Sequence, residues 1–205
     1  MKYFLPVQIA FSVLVMLLAS CVSCSREQAQ LLSAHGKLVF DYADAESKPS
    51  MSLSVVLETQ GMEGVERLKI VHNESQYEWE SAFPSVVVSS WSSYTEFVAV
   101  DNAPVPQGAY TVYYTDVGGE SYESSFTVHY PEELPAANAA DAARIMEAQG
   151  GVRRVVAAYA KDGTLLYFDE EKDGWRENAV SARICYVLDE GGVMCMLPEK
   201  NVSEE

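Results

Sequence analysis

The sequence predicts a mainly β protein, an antiparallel β-sandwich over residues 37–130 followed by a small α+β module over 131–198. Three observations carry this. Short runs rich in β-branched and aromatic residues recur between turn residues, at the spacing of a sandwich or barrel. One pair of runs alternates with period two about a Val-Gly-Gly turn, which is the pattern of a β-hairpin. One later stretch, between Asn138 and Gly150-Gly151, has helix-like spacing together with a cap and a stop.

In chain order, residues 37–42, 52–57 and 67–71 read as the first strands, and Val86-Val-Val88 and residues 97–100 continue the series. The hairpin joins residues 108–116 to 120–128. Tyr110, Val112 and Tyr114 share one face of its first strand, and Tyr122, Phe126 and Val128 share one face of its second. Pro131 and Pro135, with Glu132 and Glu133 between them, mark a boundary. Beyond it Asn138 caps a helix stopped by the two glycines. Residues 153–159 and 164–168 form a second hairpin about Lys161-Asp162-Gly163. Val180, Ala182, Ile184, Tyr186 and Leu188 are apolar at alternate positions, so a strand is predicted there. The same stretch also fits a helix through Val180, Ile184 and Val187. Residues 199–205 form an acidic tail, expected to be loose.

Ahead of the sandwich, Lys2 precedes an almost wholly apolar run from Phe4 to Leu18, and Leu18-Ala19-Ser20-Cys21 follows. A positive start, a short apolar run and a small-residue site describe a secretory signal, and the run is too short for a permanent membrane span. Leu18-Ala19-Ser20-Cys21 resembles the lipobox of bacterial lipoproteins. That resemblance implies a signal peptide over residues 1–20, a diacylglycerylated and N-acylated Cys21, and a lipidated tether over 21–36. It further implies a lipid-anchored location in the cell envelope. An Asp after the lipidated cysteine favours inner-membrane retention in enterobacterial members, and Val22 stands here, so the outer membrane is implied. Two or three acyl chains hold a protein on a bilayer almost permanently, because each buried methylene contributes about 0.8 kcal/mol. Cys24 lacks the aliphatic residue that a competing lipobox needs. The Cys-x-x-Cys that it forms with Cys21 sits at the cleavage junction, where a redox or zinc role is not expected.

The hairpin carries a second resemblance. Pro106-x-Gly108-x-Tyr110-Thr-Val112-x-Tyr114-x-Asp116, ending in Phe126-Thr-Val128, resembles the closing strands of immunoglobulin-like and fibronectin type III-like sandwiches. Tyr110 falls where a tyrosine corner would, its hydroxyl bonding back to an upstream backbone group. Val112 stands where antibody domains place their second bridging cysteine.

Thirty Asp and Glu against 14 Lys and Arg give a formal charge of −16. Such a chain repels nucleic acid and anionic headgroups. Cys185 and Cys195 flank a turn at 188–192; if that turn is a three-residue loop centred on Glu190, the two face each other within reach of a disulfide. Two buried free thiols are the alternative.

No motif for hydrolysis, phosphate handling or dinucleotide binding is present, so neither enzymatic activity nor a cofactor is expected. His35, His72 and His129 are too scattered to predict a metal or triad site. Asp169 to Gly174 has the oxygen spacing of a calcium loop, but Val180 stands where the closing bidentate Glu belongs. Tyr77, Trp79, Trp91 and Tyr94 are the candidate ligand-facing aromatics, with core packing as the competing role. The expected function is a non-enzymatic binding or structural role toward an envelope protein or glycan. The alternative is carbohydrate or solute binding through those aromatics.

Overall fold

The computed structural model describes residues 30–60, 65–82, 86–89, 92–98, 103–172, 174–188 and 192–202. Cys21, Cys24, Trp91 and the turn residues 189–191 lie outside the described residues, as does the proposed lipobox.

The chain is mainly β, with two sheets and one α-helix among the described residues. The strands are β1 (Gln30–Asp41), β2 (Ser50–Gln60), β3 (Val65–His72), β4 (Glu78–Ala82), β5 (Val86–Ser89), β6 (Ser92–Val98), β7 (Gly108–Asp116) and β8 (Ser121–Val128). Helix α1 (Ala139–Glu147) follows, then β9 (Val152–Tyr159), β10 (Leu165–Asp169), β11 (Ser181–Leu188), β12 (Val193–Met196) and β13 (Lys200–Asn201). The smaller sheet runs β4-β3-β7-β8. The larger runs β10-β9-β11-β12-β1-β2-β6-β5, with β13 on β11.

The two sheets meet through alternate residues, as the period-two pattern requires. Leu38, Phe40, Leu53, Val55 and Leu57 from β1 and β2 form one core with Leu68, Ile70, Trp79, Tyr110, Val112 and Tyr114 from the smaller sheet. Full burial of each large aliphatic or aromatic side chain contributes about 1.5–3 kcal/mol. The hairpin pairs Tyr110 with Phe126 and Tyr114 with Tyr122, so the predicted faces meet in register. Its turn is closed by Asp116, whose Oδ1 accepts from the Gly118 and Glu120 backbone N–H groups at 2.9 Å each. Tyr110 donates its hydroxyl to the Pro106 carbonyl at 2.5 Å, the upstream bond expected of it.

Asn138 caps α1 as predicted, accepting from the Asp141 N–H at 2.9 Å. The helix lays Ala139, Ala142 and Met146 into the same core that contains Tyr186, Val193 and Cys195. Strand, not helix, holds residues 181–188, because both neighbours β9 and β12 hydrogen-bond to them.

Several expectations change. The strand expected from residue 37 begins at Gln30, so 30–36 are sheet rather than tether, paired with β2 from the Gln30↔Gln60 position onward. The larger sheet crosses residue 131, where the sequence placed a boundary. Strand β12 pairs in parallel with β1, Leu38 opposite Val193 and Asp41 opposite Met196. A parallel pairing needs no local turn and leaves no local signature. Part of the tail is also anchored, since Lys200 and Asn201 pair with Ala182 and Ser181.

The disulfide expectation is corrected. Leu188 pairs with Val193, leaving four residues between the strands rather than three. The register therefore slips by one, Cys185 facing Met196 and Cys195 facing Tyr186. A one-residue slip reverses the face of every side chain. Both cysteines are free and buried.

Candidate functional site

The aromatics nominated from sequence divide. In β4, Trp79 turns into the core, with 8% of its surface exposed, and Glu78 and Glu80 turn outward. Tyr77 stands edge-on to Trp79 at 4.7 Å, half-buried, and Trp79 approaches Tyr110 at 6.3 Å. Glu78 and Glu80 form exposed ion pairs with Lys69 (2.6 Å) and Arg67 (3.4 Å). Packing explains Trp79 without a ligand. Trp91 lies outside the described residues. Tyr94 is on β6, paired with Val56 and Val86.

The histidines stay apart. His72 is buried, with Nδ1 bonded to Ser75 Oγ at 2.7 Å and Nε2 to the Gln107 carbonyl at 2.8 Å. It pins the turn after β3 to the strand entering β7. His35 joins Ser33, whose hydroxyl donates to Glu58. His129 is exposed. Among the described residues no three His, Cys, Asp or Glu are grouped to hold a metal, and no helix is long and apolar enough to cross a membrane. In the acidic loop after β10, Asp169 pairs with Lys172 at 2.7 Å and Glu171 with Arg154 at 2.9 Å. These cations occupy the carboxylates that a calcium ion would need. Asp173 lies outside the described residues.

Burial pushes the Cys185 thiol up to about 11 and the Cys195 thiol to about 12. A thiol with so little thiolate character is inert as a nucleophile.

A different feature has the form of a binding site. Between α1 and the face of β9 and β11 lies a cleft of about 270 Å³. Its floor is Val156, Ala182 and Ile184, and one wall is Ala139, Ala140 and Ala143 of α1. The cavity follows from the sequence: α1 presents alanine where a bundle helix would place Leu or Ile, so helix and sheet do not interdigitate over this stretch. Leu197 and Pro198 close the opposite wall, followed by the β13 residues Lys200 and Asn201.

The mouth is polar. The loop after β10 folds back over the sheet with Gly174 (φ 93°) and Asn178 (φ 63°) in the left-handed region, which glycine and asparagine tolerate best. Its return is fixed where the Val180 N–H meets the Tyr159 carbonyl at 2.9 Å. This path delivers Trp175 and Glu171 to the cleft opposite Arg154. The Arg154 guanidinium holds the Glu171 carboxyl below the usual carboxylate range, with a smaller contribution from a hydrogen bond to the Trp175 side chain. Arg176 lies over the Trp175 ring, 5.0 Å from its centroid. Tyr186 of β11 donates its hydroxyl to Glu147 of α1 at 2.6 Å, tying sheet to helix.

Sequence reasoning did not nominate Trp175, Arg154 or Lys200. The available signal was a tryptophan inside a charged loop, Lys172-Asp-Gly-Trp-Arg176, where solvation alone does not call for one.

No protein-family model and no curated protein matches the chain.

Proposed function

We propose that the protein is a lipid-anchored lipoprotein of the bacterial cell envelope with a non-enzymatic binding role, and that the cleft between α1 and strands β9 and β11 is its ligand seat. The anchor rests on Leu18-Ala19-Ser20-Cys21 behind its apolar run, with Cys21 the attached residue and Val22 favouring the outer membrane. The binding role rests on the cleft: an apolar floor on a rigid sheet, ringed by a tryptophan and a few charged groups, is the usual form of a small-ligand site. In the same reading the sandwich is immunoglobulin-like, supported by the Tyr110 to Pro106 bond.

Two measurements test it. Intact mass of membrane-extracted protein should match residues 21–205 plus acyl chains, and Cys21→Ala should abolish both acylation and membrane retention. An unlipidated chain in the soluble fraction would reject the anchor. For the seat, tryptophan fluorescence of the protein and its Trp175→Phe variant is compared during titration with a library of small apolar and amphipathic solutes. A response that vanishes with Trp175 supports the site. A response retained in the variant would move binding elsewhere.

A further inference from the structure

We infer that the cleft selects small amphipathic monoanions, an aryl or short alkyl body carrying one carboxylate. This rests on the cleft being a ligand seat and adds the charge of the ligand.

The floor and helix wall, Val156, Ala182, Ile184 and Ala143 among them, offer no polar side chain. A volume of about 270 Å³ holds roughly nine water-sized groups, each about 30 Å³. That is room for a phenyl ring with a short linker.

Charge gives the direction. The chain as a whole is strongly acidic, at −16, yet the cleft lining has three cations, Arg154, Arg183 and Lys200, against the single carboxylate of Glu171. Arg183 is engaged with Asp41 and with the carbonyls of Leu197, Tyr42 and Met196. Arg154 and Glu171 pair with each other. Lys200 forms no ion pair among the described residues, and it stands on β13 at the rim, above the apolar wall of Leu197 and Pro198. An apolar body on the floor with its head group turned toward β13 places that group beside Lys200, which stands opposite Ala182 of the floor. A carboxylate is attracted there and an ammonium is repelled.

The carboxylate has two sources of the same chemistry, a free small acid or the C-terminus of a peptide. The test uses 4-phenylbutyrate, 4-phenylbutanol and 4-phenylbutylamine, which share one body and differ in head group, with the full chain and isothermal titration. An acetylated tripeptide ending in phenylalanine, as free acid and as amide, forms the second arm. The expected result is 4-phenylbutyrate binding at least about fivefold tighter than the amine, the worth of one partly screened charge contact. Lys200→Glu should erase or reverse that preference while leaving the alcohol unchanged, and Ala143→Leu, which fills the cleft from its helix wall, should weaken all three. A peptide acid that binds with the small acid excluded, its amide silent, assigns the source to a chain terminus.

Equal binding of the three probes would overturn the charge inference and leave the seat intact. Binding of none would overturn both. Circular dichroism of Lys200→Glu, a substitution on the exposed β13, separates loss of binding from loss of fold.

Discussion

Cys185 and Cys195 are one ladder position out of register: Cys185 faces Met196, Cys195 faces Tyr186, and the two thiols lie on opposite faces of the same pair of strands. Cys195 belongs to the main core, and Cys185 to a second cluster with Val155, Ala157 and Val187. Opposite faces forbid the side-chain approach that a disulfide needs. Alkylation in urea without reductant should therefore modify both residues, and neither should react in the folded protein. A cross-linked peptide joining 185 to 195 would contradict the register.

Alkali should unfold this protein earlier than its carboxylates and lysines alone would suggest. Burial raises Cys185 from 9 to about 11 and Cys195 to about 12, and raises Tyr114 and Tyr186 from 10 to about 12. Between those limits the folded state holds protons that the unfolded chain has released. Stability from these groups is complete below about pH 9 and is lost as pH rises toward 12. Urea midpoints at pH 8, 10 and 11 should fall in that order. A constant midpoint would mean that these side chains are more hydrated than their burial indicates.

The bond from Tyr110 to the Pro106 carbonyl can be tested alone. Tyr110→Phe keeps the ring stacked on Phe126, at 5.3 Å and 8° between planes, and removes the bond to the Pro106 carbonyl. Leaving a part-buried carbonyl without its donor costs about 1–3 kcal/mol. Chemical denaturation should show that loss with an unchanged m-value.

The local elements were legible and their assembly was not. Period-two alternation placed the 108–128 hairpin to within a residue, and Asn138 with Gly150-Gly151 placed α1, because these signals are confined to a few neighbouring positions. The parallel partner of β1 lies some 150 residues further along the chain. Each strand there displays an apolar face that fits many partners. The same blindness hid the cleft. Alanines at 139, 140, 143 and 182 look unremarkable until α1 and β11 are stacked, and Trp175 shows its role only when its loop turns back over them. Trp79, which the sequence made prominent, proved to be packing.

At Gly36 strand β1 packs directly against Phe126 of β8 in the other sheet. A Cβ there would lie 2.1 Å from the Phe126 ring, itself held against Tyr110. Gly36→Ala must displace that ring, and overpacking of this kind costs about 1–3 kcal/mol. Pairing it with Phe126→Leu should recover part of the loss, so the double variant should be more stable than the sum of the single effects. Strict additivity would show that the ring moves aside freely.

Arg183 of β11 is the clasp between the ends of β1 and β12. Its guanidinium reaches the Asp41 carboxylate at the end of β1, the Tyr42 and Met196 carbonyls beyond β1 and at the end of β12, and the Leu197 carbonyl at 2.7 Å through Nε. Its side chain is 13% exposed, whereas Asp41 is 43% exposed. The two partners should therefore respond unequally. Arg183→Met takes the side-chain donor from the Leu197 and Tyr42 carbonyls, while the Met196 carbonyl keeps the Tyr42 N–H at 3.0 Å, and should cost about 2–4 kcal/mol. Asp41→Asn removes one partly solvated contact and should cost about 1 kcal/mol or less. Because β12 and β1 belong to one sheet and one core, the weakened protein should still unfold in a single transition by circular dichroism and tryptophan fluorescence together. Two separated transitions in Arg183→Met would show that residues 131–202 hold together without β1, and the parallel pairing would then be an attachment between modules and not part of a common core.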